Sequence, residues 1–170
     1  MNLPNWLTFI RIFLVPVFMV FALFKLPSGD LIATVLFVAA ALTDYLDGYL
    51  ARKGKMVTKL GALLDPVADK LLITGALLSL VQLGKVNALV AMVILAREFA
   101  VMGLRLVAAT NGVEIKVSNF GKLKTAVQFL AVTAIMLGYK IGTPLLYLSA
   151  TITVLSGVEY YIKGAHVLKE

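Results

Sequence analysis

Cysteine is missing from this 170-residue sequence, and histidine occurs once, at His166. The first absence excludes disulfides and thiolate metal sites, and the second excludes a multi-histidine metal centre. Charge is scarce as well. Charged residues make up 15% of the chain against 61% apolar, where an ordinary soluble domain is roughly half apolar. Mean hydropathy is +0.95. There is no internal repeat and no low-complexity tract. A cleavable leader is not expected, because the first apolar run carries Arg11 and lacks a small-residue cleavage site followed by polar sequence. That run is read as a retained membrane helix. Length fits a single domain over residues 1–170. These shortages describe an integral membrane protein. The net charge of +7 would suggest nucleic acid in a soluble chain. Its clustering at turns points instead to membrane topology and to an anionic ligand at one membrane face, with no nucleic acid involved.

A helix needs roughly 20 apolar residues to cross the hydrocarbon core. Six segments qualify: Asn5–Phe24, Leu31–Ala51, Gly61–Leu83, Asn87–Ala108, Leu123–Ile141 and Pro144–Ile162. Turn chemistry separates them at Leu26–Asp30, Ala51–Lys55, Leu83–Asn87, Thr110–Gly112 and Ile141–Pro144. The expected fold is therefore all-α, a polytopic bundle of six transmembrane helices. Residues Asn2–Thr8 are expected to form a short interfacial lead-in, with Trp6 at headgroup level. Single lysines mark the first, third and fifth turns: Lys25, Lys85 and Lys140. Basic residues crowd the second turn (Arg52, Lys53, Lys55, Lys59), the fourth (Arg105, Lys116, Lys122, Lys124) and the tail. The positive-inside bias then places both termini and the even-numbered turns in the cytoplasm.

Within this apolar chain, one stretch holds four aspartates: Asp44, Asp47, Asp65 and Asp69. Burying one carboxylate in apolar surroundings is costly, so four together call for a counter-charge. On the second segment Asp44, Asp47 and Ala51 share a face, with Gly48 beside them; on the third, Gly61, Asp65 and Asp69 do the same. Two helices joined by a short turn are antiparallel neighbours, so the two acidic faces can oppose each other. Such an all-oxygen set suits Mg²⁺ or Mn²⁺, and two ions would balance four charges. Gly48 and Gly61 either open the backbone to a flat ligand such as a nucleobase or allow close helix packing. The structural alternative for the acids is a salt-bridge cluster with Arg52, Lys70 or Arg97.

The pattern Asp44-x2-Asp47-Gly48-x2-Ala51-Arg52-x8-Gly61-x3-Asp65-x3-Asp69 resembles the signature of the CDP-alcohol phosphotransferase family at every fixed position. The resemblance implies six transmembrane helices and a homodimer. It also implies transfer of a phosphoalcohol group from a CDP-linked donor to an acceptor hydroxyl, with release of CMP. Asp69, the last aspartate of the signature, is then the general base as well as a metal ligand, alongside Asp44, Asp47 and Asp65. The cytidine end of the donor would lie along Asp47, Gly48, Ala51 and Gly61, with Arg52 near the phosphates.

Further stretches, Asn5-x-Leu7-Thr8-x2-Arg11, Arg97-Glu98-Phe99, Gly103-Leu104-Arg105, Gly121-Lys122-x-Lys124-Thr125-x2-Gln128 and Ser156-Gly157-x-Glu159-Tyr160-Tyr161, resemble the bacterial branch that uses CDP-diacylglycerol as donor and glycerol 3-phosphate as acceptor. A small dianionic acceptor needs cations. Arg97 and Arg105 are offset by roughly 80° around one helix and can border one cavity. Arginine binds phosphate as a fork, and Lys122 or Lys124 can add a point charge. The competing reading for these arginines is snorkelling to the interface. Glu98, at i+7 from Arg105, is expected to position that arginine. Asn5, Thr8 and Arg11 either touch the donor pyrophosphate or serve as a helix cap and a snorkelling cation. Thr125 and Gln128 are expected to face inward, as acceptor contacts or as interhelical glue, and Glu159, Tyr160 and Tyr161 to anchor the interface. Serine, inositol phosphate or phosphatidylglycerol are rival acceptors within the family. Outside it, the rivals are an intramembrane prenyltransferase and a divalent-cation transporter. The expected location is the cytoplasmic membrane, with the active site facing the cytoplasm.

Overall fold

A computed structural model describes residues 3–24, 26–54, 59–110, 112–113 and 119–164; the side chains of 3–5, 44–54, 59–63, 119 and 163–164 lie outside that description. The described residues form six α-helices and no strand: α1 (Leu3–Leu23), α2 (Gly29–Gly54), α3 (Lys59–Gln82), α4 (Ala88–Thr110), α5 (Asn119–Met136) and α6 (Gly142–Gly164). They make two compact units, Met1–Lys85 and Val86–Glu170.

The helix count matches the hydropathy reading, and the boundaries shift by one to five residues, with α5 beginning at Asn119 and not Leu123. Residues 3–8 already belong to α1, so there is no separate lead-in among the described residues. Pro4 sits in the first turn, where its missing N–H costs nothing. Ala51–Gly54 continue α2 instead of opening a turn, since Ala, Arg and Lys are good helix formers with no proline among them. Helix α5 stops at Met136, five residues before the expected Ile141. Gly138 takes φ +80°, and the Tyr139 and Gly138 amides donate to the Ala134 and Ile135 carbonyls at 2.8 and 3.0 Å. That is a Schellman stop, which needs a left-handed residue after the last turn. Gly84 closes α3 in the same manner.

In the first unit, α1 packs on both α2 and α3. Its buried residues are Thr8, Arg11, Val15, Phe18 and Ala22, an alternation of three and four that draws one stripe along a helix. Against it, α2 presents Ala33, Phe37 and Ala40, and α3 presents Ala68, Leu72 and Ala76. Phe18 and Phe37 meet edge-on with ring centroids 6.0 Å apart. The α1–α3 approach is close: a Cβ built on Gly75 would lie 2.8 Å from Val15 Cγ1 and 3.1 Å from Met19 Sδ. Contacts 11↔40 and 18↔37 make α1 and α2 antiparallel, while 8↔65 and 15↔75 make α1 and α3 parallel. The end of α2 and the start of α3 therefore lie at the Thr8 end of α1.

In the second unit, α6 packs on α5 and α4. The buried stripe of α6 is Leu146, Ser149, Thr153, Ser156 and Tyr160; that of α5 runs through Lys124, Gln128, Ala131 and Ile135. On α4 it is Ala91, Ile94 and Glu98. Along α6 the stripe changes from apolar to polar, and along α5 from polar to apolar.

The outward faces are the reverse of a soluble protein's. Every helix exposes large apolar side chains, among them Phe13, Leu31, Leu78, Leu89, Leu130 and Ile162, while Arg11, Glu98 and Lys124 are buried. Trp6–Leu23 and Gly142–Ile162 are long and apolar enough to cross a membrane, and Gly29–Thr43 is a shorter apolar stretch. Apolar exposure on this scale marks a surface that meets lipid or protein; with the two long apolar helices, it fits a membrane protein.

Candidate active site

The acidic stretch falls at one end of the first unit. Asp44 and Asp47 lie on α2, and Asp65 and Asp69 on α3. Continuing the α2 stripe Ala33–Phe37–Ala40 by steps of four and three reaches residues 44 and 47. The side chains of Asp44, Asp47, Gly48, Ala51, Arg52 and Gly61, and that of Asn5, lie outside the described residues.

Asp65 and Asp69 are described in full. The Thr8 hydroxyl donates to Asp65 Oδ1 at 2.6 Å, and Lys70 Nζ donates to Asp69 Oδ2 at 2.6 Å. Asp65 is exposed and the Asp69 side chain is 43% exposed. Each carboxylate thus keeps one oxygen uncommitted among the described residues, on neighbouring turns of a single helix face. Hard oxygen donors so arranged fit a divalent cation. Among the described residues, the salt-bridge alternative is represented by the Asp69–Lys70 pair. No group of three acidic side chains is assembled among the described residues.

Thr8 is buried and reaches across to α3, so it holds a candidate metal ligand instead of capping its own helix. Arg11 does not snorkel. It is 1% exposed, and its Nε donates to the Ala40 carbonyl at 3.3 Å, one turn before Asp44 on α2.

The basic residues sort differently from their spacing. In the second unit Arg97 is largely buried, with Nη2 donating to Ser156 Oγ at 2.8 Å and Cζ 5.4 Å from the Tyr160 ring centroid. Lys124 is buried in an ion pair with Glu98. Glu98 Oε1 also lies 3.9 Å from Arg97 Nη1. The expected link from Glu98 to Arg105 is not formed, because seven residues of helix separate their backbones by about 10.5 Å. Arg105 and Lys122 are exposed. Thr125 does not face inward within its unit; it is exposed, with its hydroxyl donating to the Gly121 carbonyl of its own helix at 3.0 Å. Gln128 is buried, as expected of an inward position. Tyr160 is also buried, so of the tyrosine pair only Tyr161 is placed to meet an interface. The roles of Ser156 and Gly157 were not visible in the motif that contains them. The three- and four-residue spacing of Ser149, Thr153, Ser156 and Tyr160 was the available clue.

The chain belongs to the CDP-alcohol phosphatidyltransferase family, whose pattern it matches over residues 1–155. Among its relatives are proteins named CDP-diacylglycerol--glycerol-3-phosphate 3-phosphatidyltransferase. The one from Bacillus subtilis is 40% identical, covering 99% of this chain and 97% of the relative. The one from Rickettsia bellii is 38% identical, covering 94% and 93%. A probable phosphatidylglycerophosphate synthase of Mycobacterium tuberculosis is 39% identical over 96% of this chain and 81% of its own length.

Proposed function

We propose that this chain transfers the phosphatidyl group of CDP-diacylglycerol to sn-glycerol 3-phosphate, giving phosphatidylglycerophosphate and CMP. The observation that carries the reading is the pair Asp65 and Asp69. They hold signature positions on one face of α3, each keeping a carboxylate oxygen uncommitted among the described residues. The names of the relatives, which match along nearly the whole chain, supply the donor and acceptor.

Asp44, Asp47, Asp65 and Asp69 would hold the divalent ions, two of Mg²⁺ or Mn²⁺. When bound, these supply Lewis-acid neutralisation of the donor pyrophosphate and of the departing CMP. Gly48, Ala51 and Gly61 give the cytidine end of the donor a backbone-lined surface, and Arg52 serves its phosphates. Thr8 fixes Asp65, and Asn5 lies one turn earlier on α1. Asp69 takes the proton of the acceptor hydroxyl. A base must stand within hydrogen-bond reach of the proton it removes, and the Lys70 contact at Oδ2 keeps the carboxylate in its ionised, proton-accepting form. The freed oxygen forms a bond to the phosphorus that carries diacylglycerol, and the bond from that phosphorus to CMP breaks. Arg97, Arg105 and Lys122 receive the acceptor phosphate. Lys124, the fourth cation assigned to that phosphate by its position, is paired with Glu98.

In this reading all six helices span the cytoplasmic membrane, both termini and the acidic end face the cytoplasm, and the enzyme works as a homodimer. The parallel course of α1 and α3 and the antiparallel course of α2 agree with this topology, since they set the acids at the end where α1 begins. The test is CMP release by purified protein from CDP-diacylglycerol with a panel of acceptors. Glycerol 3-phosphate should support release only with Mg²⁺ or Mn²⁺ present. Preference for inositol phosphate, serine or phosphatidylglycerol would move the chain to another branch of the family.

A further inference from the structure

Arg97 sits on one turn of α6 that is shaped around it. Ser156 Oγ accepts from Arg97 Nη2 at 2.8 Å and itself donates to the Thr153 carbonyl at 3.1 Å. That second bond commits the hydroxyl proton and turns the oxygen lone pairs toward the guanidinium. Tyr160, one turn on, lies under the guanidinium at 5.4 Å, within cation–π range. Between them Gly157 leaves the space that the arginine stem fills. A Cβ there would lie 3.0 Å from Arg97 Cγ and 3.8 Å from Nε. Ser156 and Tyr160 are 1% and 4% exposed, so the turn is rigidly packed.

A free arginine side chain carries rotamer entropy that a ligand must otherwise overcome. The α6 turn removes that freedom in advance while using few of the donors. A guanidinium has five N–H groups. Ser156 takes one of them at Nη2, and Glu98 Oε1 lies 3.9 Å from Nη1, beyond hydrogen-bond distance. The side chain is held in place with donors to spare.

We propose that Ser156, Gly157 and Tyr160 are positioning residues that lock Arg97 in its anion-binding orientation, so that this turn of α6 sets the affinity for the acceptor phosphate. The proposal rests on the reading of Arg97 as a ligand of that phosphate. It gives Ser156-Gly157-x-x-Tyr160 a task that neither the aspartate signature nor the lysines perform.

Steady-state kinetics on the purified full-length enzyme test it, with glycerol 3-phosphate and CDP-diacylglycerol varied in turn and melting temperature followed in detergent. Ser156→Ala and Tyr160→Leu each remove a contact to a charged group and should raise KM for glycerol 3-phosphate about tenfold. KM for CDP-diacylglycerol should hold, and the rise in KM for glycerol 3-phosphate should not track whatever loss of melting temperature the truncation of a buried side chain causes. Gly157→Ala adds an atom where the arginine lies and should produce the same split. Ser156→Thr and Tyr160→Phe, which keep the hydroxyl and the ring face, should restore the wild-type value. If Arg97→Ala raises that KM while Ser156→Ala, Gly157→Ala and Tyr160→Leu leave it unchanged, the cradle is wrong and the Arg97 assignment stands. If Arg97→Ala leaves it unchanged, the assignment itself fails and the cradle with it. A drop in melting temperature and kcat with both KM values unmoved would reduce the turn to ordinary packing and overturn the proposal.

Discussion

At the polar end of the first unit, Asp65 and Asp69 stay partly open, each with a single described partner, a hydroxyl for one and a lysine for the other. In the second unit Lys124, Glu98 and Arg97 lie inside the packing, with Lys124 on Glu98 and Arg97 on Ser156 and Tyr160, while Arg105 and Lys122 stay exposed. On the proposed function, the difference follows from the task of each group. Carboxylates that are to collect cations need oxygens not already committed to protein donors, whereas a guanidinium that is to receive a phosphate profits from being fixed beforehand. Neutralising an acid of the first unit should therefore cost activity and little stability. Neutralising a member of the buried pair in the second should cost stability first.

Asp69→Asn tests the first half and carries the largest expected effect. The amide cannot accept a proton, and loss of a general base typically costs about 10²- to 10⁴-fold in rate. Transfer should fall by that order while CDP-diacylglycerol still binds and the melting temperature stays near that of the parent. Full activity would remove Asp69 from the base role. A large stability loss would show that the Asp69–Lys70 contact is part of the fold and would erase the contrast.

Lys124→Met tests the second half. It leaves Glu98, 3% exposed at its side chain, with its main counter-charge gone. Breaking a buried pair from one side costs about 3–5 kcal/mol, while replacing both partners with apolar residues of similar size is often neutral. Thermal unfolding in detergent should therefore show a large drop for Lys124→Met that the double change Glu98→Leu with Lys124→Met largely recovers. If the double variant is as unstable as the single one, the pair is not what the fold depends on. If Lys124→Met is as stable as the parent, the buried ion pair has been misjudged.

The six helices were legible because each needs a long apolar run, and such runs are conspicuous in a chain with so few charges. That Asp65 and Asp69 share one face of α3 was legible because they stand four residues apart on a helix. The basic side could not be read the same way. Lys122 and Lys124 are two residues apart, and hydropathy does not say which of them turns inward. The packing of Ala131 and Ile135 against α6 fixes the register of α5 and brings Lys124 in. Glu98 was assigned to Arg105 by position along one helix, although a partner across the bundle was nearer. The Ser156-Gly157-Tyr160 turn resembles small-residue packing until Arg97 is set against it, so its meaning lies in a contact between residues 59 apart.

The smallest effect expected is at Thr8, and it sharpens the comparison because Thr8 is the one partner that Asp65 has among the described residues. If the acids of the first unit are open by design, the few bonds they do make should orient them without neutralising them. A hydroxyl can do this, since it donates one hydrogen bond to Oδ1 and brings no charge. Removing an outer hydrogen bond to a metal-binding carboxylate typically weakens metal binding about 10- to 100-fold. Thr8→Val keeps the shape of the side chain and loses the donor, so it should raise the Mn²⁺ concentration for half-saturation by about tenfold. Spin-resonance titration of the resting enzyme would follow this without reliance on turnover. Thr8→Ser, with the hydroxyl restored, should return binding to the parent value. Equal Mn²⁺ affinity in all three proteins would make the Thr8–Asp65 bond a link between helices only, and the orientation of Asp65 would then have to come from the packing of α3 itself.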